Sequence, residues 1–136
     1  MRRYLLDTGI AGDYMNRRHG VDTRARIEVA RGNKLGIGVP VLAELFYGVE
    51  KSATRNRNML LLRRTIPAWK IWPFEKSTAE IYGSLVAHLD RIGRPMQRID
   101  IMVAAIALDL GNCTVVSADS DLLAIPGLTV ENWATP

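Results

Sequence analysis

The feature that most constrains this chain is an alternation of short apolar runs with longer stretches of helical period. Tyr4–Leu6, Leu35–Val39, Trp69–Trp72, Thr114–Ser117 and Leu128–Val130 have the length and composition of strands. Strands that alternate with helices pack as a mostly parallel sheet covered by those helices. No repeat or low-complexity linker interrupts the pattern, so residues 1–136 read as a single α/β domain.

Between the runs, helix signals are explicit. A short helix is expected from Ile10 to Arg17, closed by Gly20, and a second from Thr23 to Arg31 with Asp22 as its N-cap and Gly32-Asn33 as its stop. Pro40 suits the first turn of a helix running from Val41 to Glu50, because its missing N–H is an orphan there in any case. Ala53 to Thr65 should pair with that helix as a hairpin. Ser77-Thr78-Ala79-Glu80 matches a capping box opening a long helix to Ile92, with Gly93 as its stop. The Ala-rich run Ile101 to Leu110 predicts a helix packed on more than one side. A helical turn through Leu122 to Ala124 precedes the last strand.

Composition matches a globular protein, with 48% hydrophobic and 24% charged residues, which excludes wholesale disorder. No signal peptide or membrane-spanning run is visible, and a cytoplasmic protein without membrane contact is the simplest expectation. The single cysteine, Cys113, has no partner for an internal disulfide and reads as a buried thiol. Charge is divided unevenly. Residues 1–70 carry 14 Lys or Arg against 6 Asp or Glu, a net +8, and residues 71–136 carry 4 against 8, a net −4. The basic half is rich in Arg, which suits bidentate contact with phosphate. A nucleic-acid backbone is the acidic partner this favours, although solvated helix faces or an acidic protein would explain the same charges.

The chemistry is concentrated in acids. Asp7 follows the first apolar run where a strand should give way to a turn, and alone it would be read as the cap of the next helix. Asp119 stands in the same relation to Thr114–Ser117, Asp100 at the amino end of a buried helix, and Glu44 near the amino end of the helix after the second strand. In a right-handed α/β layout these positions meet at the carboxyl edge of the sheet, where ligands of such folds bind. Carboxylates that close cannot all stay ionised unless something compensates, either raised pKa values or bound cations. Oxygen-only ligation favours Mg2+ or Mn2+, and the chemistry such ions serve is phosphodiester hydrolysis. Nothing competes with this reading: His19 lies in the Arg-rich segment and His88 within a helix, and no Gly-x-Ser-x-Gly elbow, P-loop or Gly-x-Gly-x-x-Gly cradle is present.

Taken in order, Leu5-Leu6-Asp7-Thr8, Leu42-Ala43-Glu44-Leu45-Phe46-Tyr47-Gly48-Val49, Arg94-Pro95 leading to Asp100-Ile101-Met102-Val103-Ala104-Ala105-Ile106-Ala107, Val115-Val116-Ser117-Ala118-Asp119-Ser120-Asp121 and Ile125-Pro126-Gly127-Leu128 closely resemble PIN-domain ribonucleases of the VapC toxin type. The resemblance covers nearly the whole chain. It implies a PIN-like three-layer α/β/α sandwich, a Mg2+- or Mn2+-dependent endoribonuclease acting on RNA, a VapB antitoxin as partner, and a homodimer. It also implies that Asp7, Glu44, Asp100 and Asp119 are the metal-holding acids, with Asp121 as rival for the fourth place and Thr8 and Ser117 supporting them. Gly9 stands where many relatives have Asn, and Ile99 where a polar residue is common.

Two other readings set the comparison. A non-catalytic RNA-binding or partner-sequestered module would be expected to lack an acid, and all four are present. A phosphatase using Asp7 as nucleophile would want a second Asp where this chain has Gly9.

Overall fold

The computed structural model describes all residues, 1–136. Five strands form one sheet: β1 (Arg3–Leu6), β2 (Lys34–Gly38), β3 (Lys70–Trp72), β4 (Cys113–Val116) and β5 (Thr129–Glu131). They lie in the order β3-β2-β1-β4-β5, with every neighbouring pair parallel. The connections hold α1 (Thr8–Met15), α2 (Val21–Ala30), α3 (Val39–Glu50), α4 (Arg55–Thr65), α5 (Lys76–Arg91) and α6 (Arg98–Leu110). From β1 to β3 the chain moves one way across the sheet, and from β3 to β4 it returns. Right-handed crossovers therefore place α1 to α4 on one face and α5 and α6 on the other, the expected three-layer α/β/α sandwich. No helix is long and apolar enough to cross a membrane.

Burial follows from this layering. Tyr4, Leu5 and Leu6 of β1 and Thr114, Val115 and Val116 of β4 are covered on both faces. On α6, every residue from Val103 to Ala107 is buried together with Ile101, as the Ala-rich run predicts. Ile37, Val41, Leu62, Leu89 and Leu122 join them in one continuous core.

Several boundaries move, each for a local reason. α1 begins at Thr8 because Asp7 itself caps it, accepting the Ile10 N–H at 2.8 Å. α2 begins at Val21, not Thr23. Arg17, His19 and Gly20 all take positive φ, and this tight left-handed turn feeds straight into the helix. Asp22 thus lies inside the first turn, paired with Arg26 at 3.1 Å, and is no cap. β2 is Lys34–Gly38, one residue earlier than expected, because α3 starts directly at Val39, and α4 starts only at Arg55. The capping box at α5 is Glu75 with Thr78, not Ser77 with Glu80. Ser77 donates instead to Asp109 Oδ2 at 2.8 Å, and Thr78 to the same oxygen at 2.7 Å, which ties the start of α5 to α6. α6 opens at Arg98, so Asp100 sits inside its first turn. At β4 the strand takes in Cys113 and stops before Ser117. Cys113 is only partly covered, but burial still pushes its thiol up to about 12, which leaves it unreactive.

The carboxyl-terminal segment is pinned to α2. Trp133 is buried against Tyr4, with ring centroids 4.9 Å apart, and carries the Arg24 guanidinium 5.1 Å above its ring. Arg24 also meets Glu28 at 3.0 Å and Glu131 at 3.4 Å. Glu28 is 3% exposed, and burial would raise its pKa. Hydrogen bonds from Arg24 and Asn33, with the charges of Arg24 and Arg31, outweigh that and hold it below the usual carboxylate range.

Two glycines separate space from propensity. Gly36 faces Lys70 across the β2–β3 pair, where a Cβ would collide with the Lys70 carbonyl. Gly83 lies exposed in the middle of α5 with nothing within 4 Å of the Cβ position. In urea unfolding, Gly36→Ala should lose at least about 1–3 kcal/mol, the cost of forcing atoms into a packed site. Gly83→Ala should gain roughly 0.5–1 kcal/mol from helix propensity alone.

Candidate active site

The strand order reverses direction at β1, which has β2 on one side and β4 on the other. At such a switch point the loops leaving the carboxyl ends diverge and open a crevice. Asp7 leaves the end of β1 and Ser117 the end of β4, with Leu6 and Val116 paired across the sheet immediately before them. The Asp7 N–H donates to the Val116 carbonyl at 3.1 Å.

Asp7 is 7% exposed. Burial raises its pKa, the charges of Asp119 and Asp13 raise it further, and hydrogen bonds from the Ser117 hydroxyl and the Ile10 N–H work the other way; the net direction is upward. Ser117 is buried as well, and its Oγ accepts the Asp119 N–H at 3.0 Å. Asp119 then accepts the Asp121 N–H at 2.9 Å through its Oδ1. One hydroxyl thus links the first acid to the turn that presents the last two.

Asp100, half-buried in the first turn of α6, has its pKa pushed up to about 6, first by burial and then by the charges of Asp7, Asp119 and Asp121. A cavity of about 440 Å3 is lined by Asp100, Asp119 and Asp121 with Pro95, Met96 and Gln97. Of the sequence-derived acids, Asp7, Asp100, Asp119 and Asp121 thus share one electrostatic field. Glu44 does not join them. It is exposed on α3 and lines a separate groove of about 410 Å3 with Thr8, Arg18 and Asn58 among others. Thr8 connects the two regions, since it follows Asp7 in the chain and its buried Oγ1 has no hydrogen-bond partner.

No three of these acids are drawn close enough to share a cation as placed. No Lys or Arg is buried among them to offset their charge. Two contributors were not legible as site residues in the sequence. Asp13, further along α1, adds its charge to Asp7. Arg94, noted in the sequence only as part of the Arg94-Pro95 motif and given no role, reaches Asp121 at 3.8 Å. Its position ahead of an acid-led helix was the available signal. Neither histidine lines these cavities, and His19 Nδ1 instead meets Asp13 at 3.2 Å.

Comparison with known proteins matches residues 4–128 to the PIN domain. The chain belongs to the PIN-domain family. Its relatives include ribonuclease VapC2 of Rickettsia felis, 30% identical over 96% of this chain and 97% of that protein. The tRNA(fMet)-specific endonuclease VapC of Shigella flexneri is 28% identical over 98% of this chain and all of that one. Among solved structures, VapBC2 from Rickettsia felis bound to a DNA fragment from its promoter is similar with a TM-score of 0.89 at 29% identity, covering 96% of this chain and 98% of that chain. This PIN-domain chain is thus of the VapC type along its whole length, and its acids stand at the switch point of a VapC-like sheet.

The raised pKa of Asp100 has a consequence for stability. An acid that titrates near 6 when folded and 3.8 when unfolded binds more protons in the native state between those values. Its contribution therefore becomes unfavourable as pH rises from about 4 to 6 and stays so above. In chelator, Asp100→Asn should stabilise the protein at pH 7.5 by roughly 1 kcal/mol, discounted from the full shift because the group is half exposed to solvent. That gain should vanish below about pH 4 when urea midpoints are compared across the range.

Proposed function

We propose that this chain is an endoribonuclease of the VapC type, which hydrolyses RNA phosphodiester bonds with Mg2+ or Mn2+ and is held in check by a VapB-type antitoxin. The observation that carries the reading is the convergence of Asp7, Asp100 and Asp119 at the switch point of the sheet, in a chain matched end to end by relatives named as ribonuclease and endonuclease.

The residues suit a hard cation. The donor set is all oxygen, two of its carboxylates have raised pKa values with no buried cationic side chain to offset them, and the adjacent Thr8 hydroxyl is buried without a partner. Asp7, Asp100 and Asp119 would hold the ion, with Asp121 beside them and Glu44 joining from its groove. A bound cation supplies Lewis acidity toward the attacking water and charge neutralisation for the phosphodiester. The chain's own part is positional. Ile10 N–H and Ser117 fix Asp7, the Ser117–Asp119–Asp121 sequence of bonds fixes the turn after β4, and Arg94 stands beside Asp121 within reach of a phosphate.

On the outer surface, Tyr47 and Leu60 of α3 and α4 remain 59% and 51% exposed, and we assign this hairpin to contact with the antitoxin or with a second copy in a homodimer. An antitoxin-held ribonuclease of this kind acts in the cytoplasm.

Protein freed of any partner should cut single-stranded RNA in Mg2+ or Mn2+ and cease to do so in chelator. Asp7→Asn and Asp100→Asn should each slow cleavage by at least roughly 100-fold, the scale of losing one electrostatic stabiliser of the transition state. Cleavage that survives chelation, or both substitutions, would sink the metal mechanism, and RNA binding without cleavage by the unaltered protein would favour the non-catalytic module.

A further inference from the structure

A second cavity, of about 270 Å3, adjoins the acid-lined one and shares Asp119 as a wall. Its other lining comes from Ser117, Ser120, Leu123, Val130 and Asn132. It is lined by residues at the carboxyl end of the edge strand β5 and in the turn after β4, and by none of the Pro95–Asp100 residues that line the other cavity. No Lys or Arg lines it, so a phosphate placed there would meet only the negative charge of Asp119.

What it offers instead is an apolar wall with free polar groups. Leu123 is 68% exposed, on the turn that carries Asp121, and faces this cavity together with Val130. The Asn132 Oδ1 accepts the Ala134 N–H at 2.9 Å, which fixes the side chain, while its amide Nδ2 makes no hydrogen bond within the protein. The Ser120 hydroxyl is equally free. A flat, neutral group with an apolar face and an acceptor edge fits this environment. In RNA that group is an unpaired base, and single-stranded RNA is read by packing of splayed bases and hydrogen bonds to their edges.

We propose that the Leu123–Asn132 cavity is a nucleobase subsite, which takes the base of the nucleotide next to the cleaved phosphodiester and favours one that presents acceptors to the Asn132 amide. This rests on the ribonuclease reading above, since the phosphate of that nucleotide is the one placed at Asp100 and Asp119. Base and phosphate of one nucleotide then straddle Asp119. Leu123 packs against the base face and Asn132 selects its edge, which makes both specificity-determining residues.

Two substitutions test this without disturbing the fold. Asn132→Asp keeps an acceptor for the Ala134 N–H but removes both donors, and Leu123→Ala shortens a side chain already in water. Ile92→Ala, an exposed apolar change on another loop, is the control. Cleavage of single-stranded RNA randomised around the cut site would be sequenced for the three variants and the unaltered protein. Asn132→Asp should lower the base preference at one position beside the cut by at least about fivefold, the lower end of what a side-chain contact to a base edge contributes. Leu123→Ala should raise KM severalfold with kcat nearly unchanged, and Ile92→Ala should do neither. In parallel, GMP and UMP would be titrated into the Asp7→Asn protein while the Leu123 methyl and Asn132 side-chain amide signals are followed by NMR. Unchanged base profiles and KM values in an active enzyme overturn the subsite alone. An inactive unaltered protein overturns the ribonuclease reading. In that case the nucleotide titration still decides the subsite: shifts at Leu123 and Asn132 support it, and their absence overturns it.

Discussion

The Asp7 carboxylate is 7% exposed, and a carboxylate so far from water retains its charge only through the hydrogen bonds and cations that reach it. Here the bonds come from the Ile10 N–H and Ser117, and the charges that act on it, Asp119 and Asp13, have the wrong sign. The same position that starts α1 by capping it therefore also creates an electrostatic deficit at the end of β1. Capping and charge are not alternatives, since the cap fixes the carboxylate where the deficit is felt. Gly9 belongs to this arrangement. Its Cβ position would lie 3.8 Å from Asp7 Oδ1, so a larger residue there would stand beside the carboxylate, and its absence leaves that side open.

What holds the opposite wall of the crevice starts far from it. Ser117 donates its N–H to the Glu131 carbonyl at 3.0 Å, and Glu131 accepts the Trp133 Nε1–H at 3.0 Å while facing Arg24. Trp133 in turn packs on Tyr4 of β1. The path runs from α2 through the carboxyl-terminal segment into the edge strand and ends on the residue that hydrogen-bonds Asp7. Local opening of the tail would therefore loosen Ser117 and uncover Tyr4 at the same time, because Trp133 belongs to the core it closes.

The mostly parallel sheet, the alternation of strands and helices and the acids at strand ends were legible because they follow from period and from chain direction. Tyr4–Leu6 and Thr114–Ser117 read as parallel strands once helices separate them, and an acid directly after such a strand falls at its carboxyl edge; their central place in the sheet follows from no such rule, since helices also flank the edge strand β3. What was not legible depended on contacts between residues distant in sequence. Ser77 reads as a cap until Asp109, 32 residues away, takes its hydroxyl. Asp22 reads as a cap until a turn made by Arg17, His19 and Gly20 moves the helix start. Glu44 reads as a member of the acid cluster because its helix follows a strand end; which groove its side chain lines, here the one it shares with Thr8 and Arg18, is something no spacing rule supplies.

The arginines show the same limit and make the charge division sharper. Arg24, Arg26, Arg31 and Arg55 are engaged by Glu28, Glu131, Asp22 and Glu50, so they contribute to the fold's own ion pairs and little to an external field. Arg17, Arg18, Arg57, Arg63 and Arg64 form none, and Arg18 opens directly onto the groove that holds Glu44. A polyanion attracted by these five meets, at the switch point, a field of its own sign. Attraction and repulsion would then act on neighbouring parts of one strand, and the cations proposed among Asp7, Asp100 and Asp119 would relieve the repulsion. On the proposed function, this charge asymmetry would make approach of a phosphodiester to the acids depend on the ion, while the unpaired arginines would attract the RNA backbone with or without it.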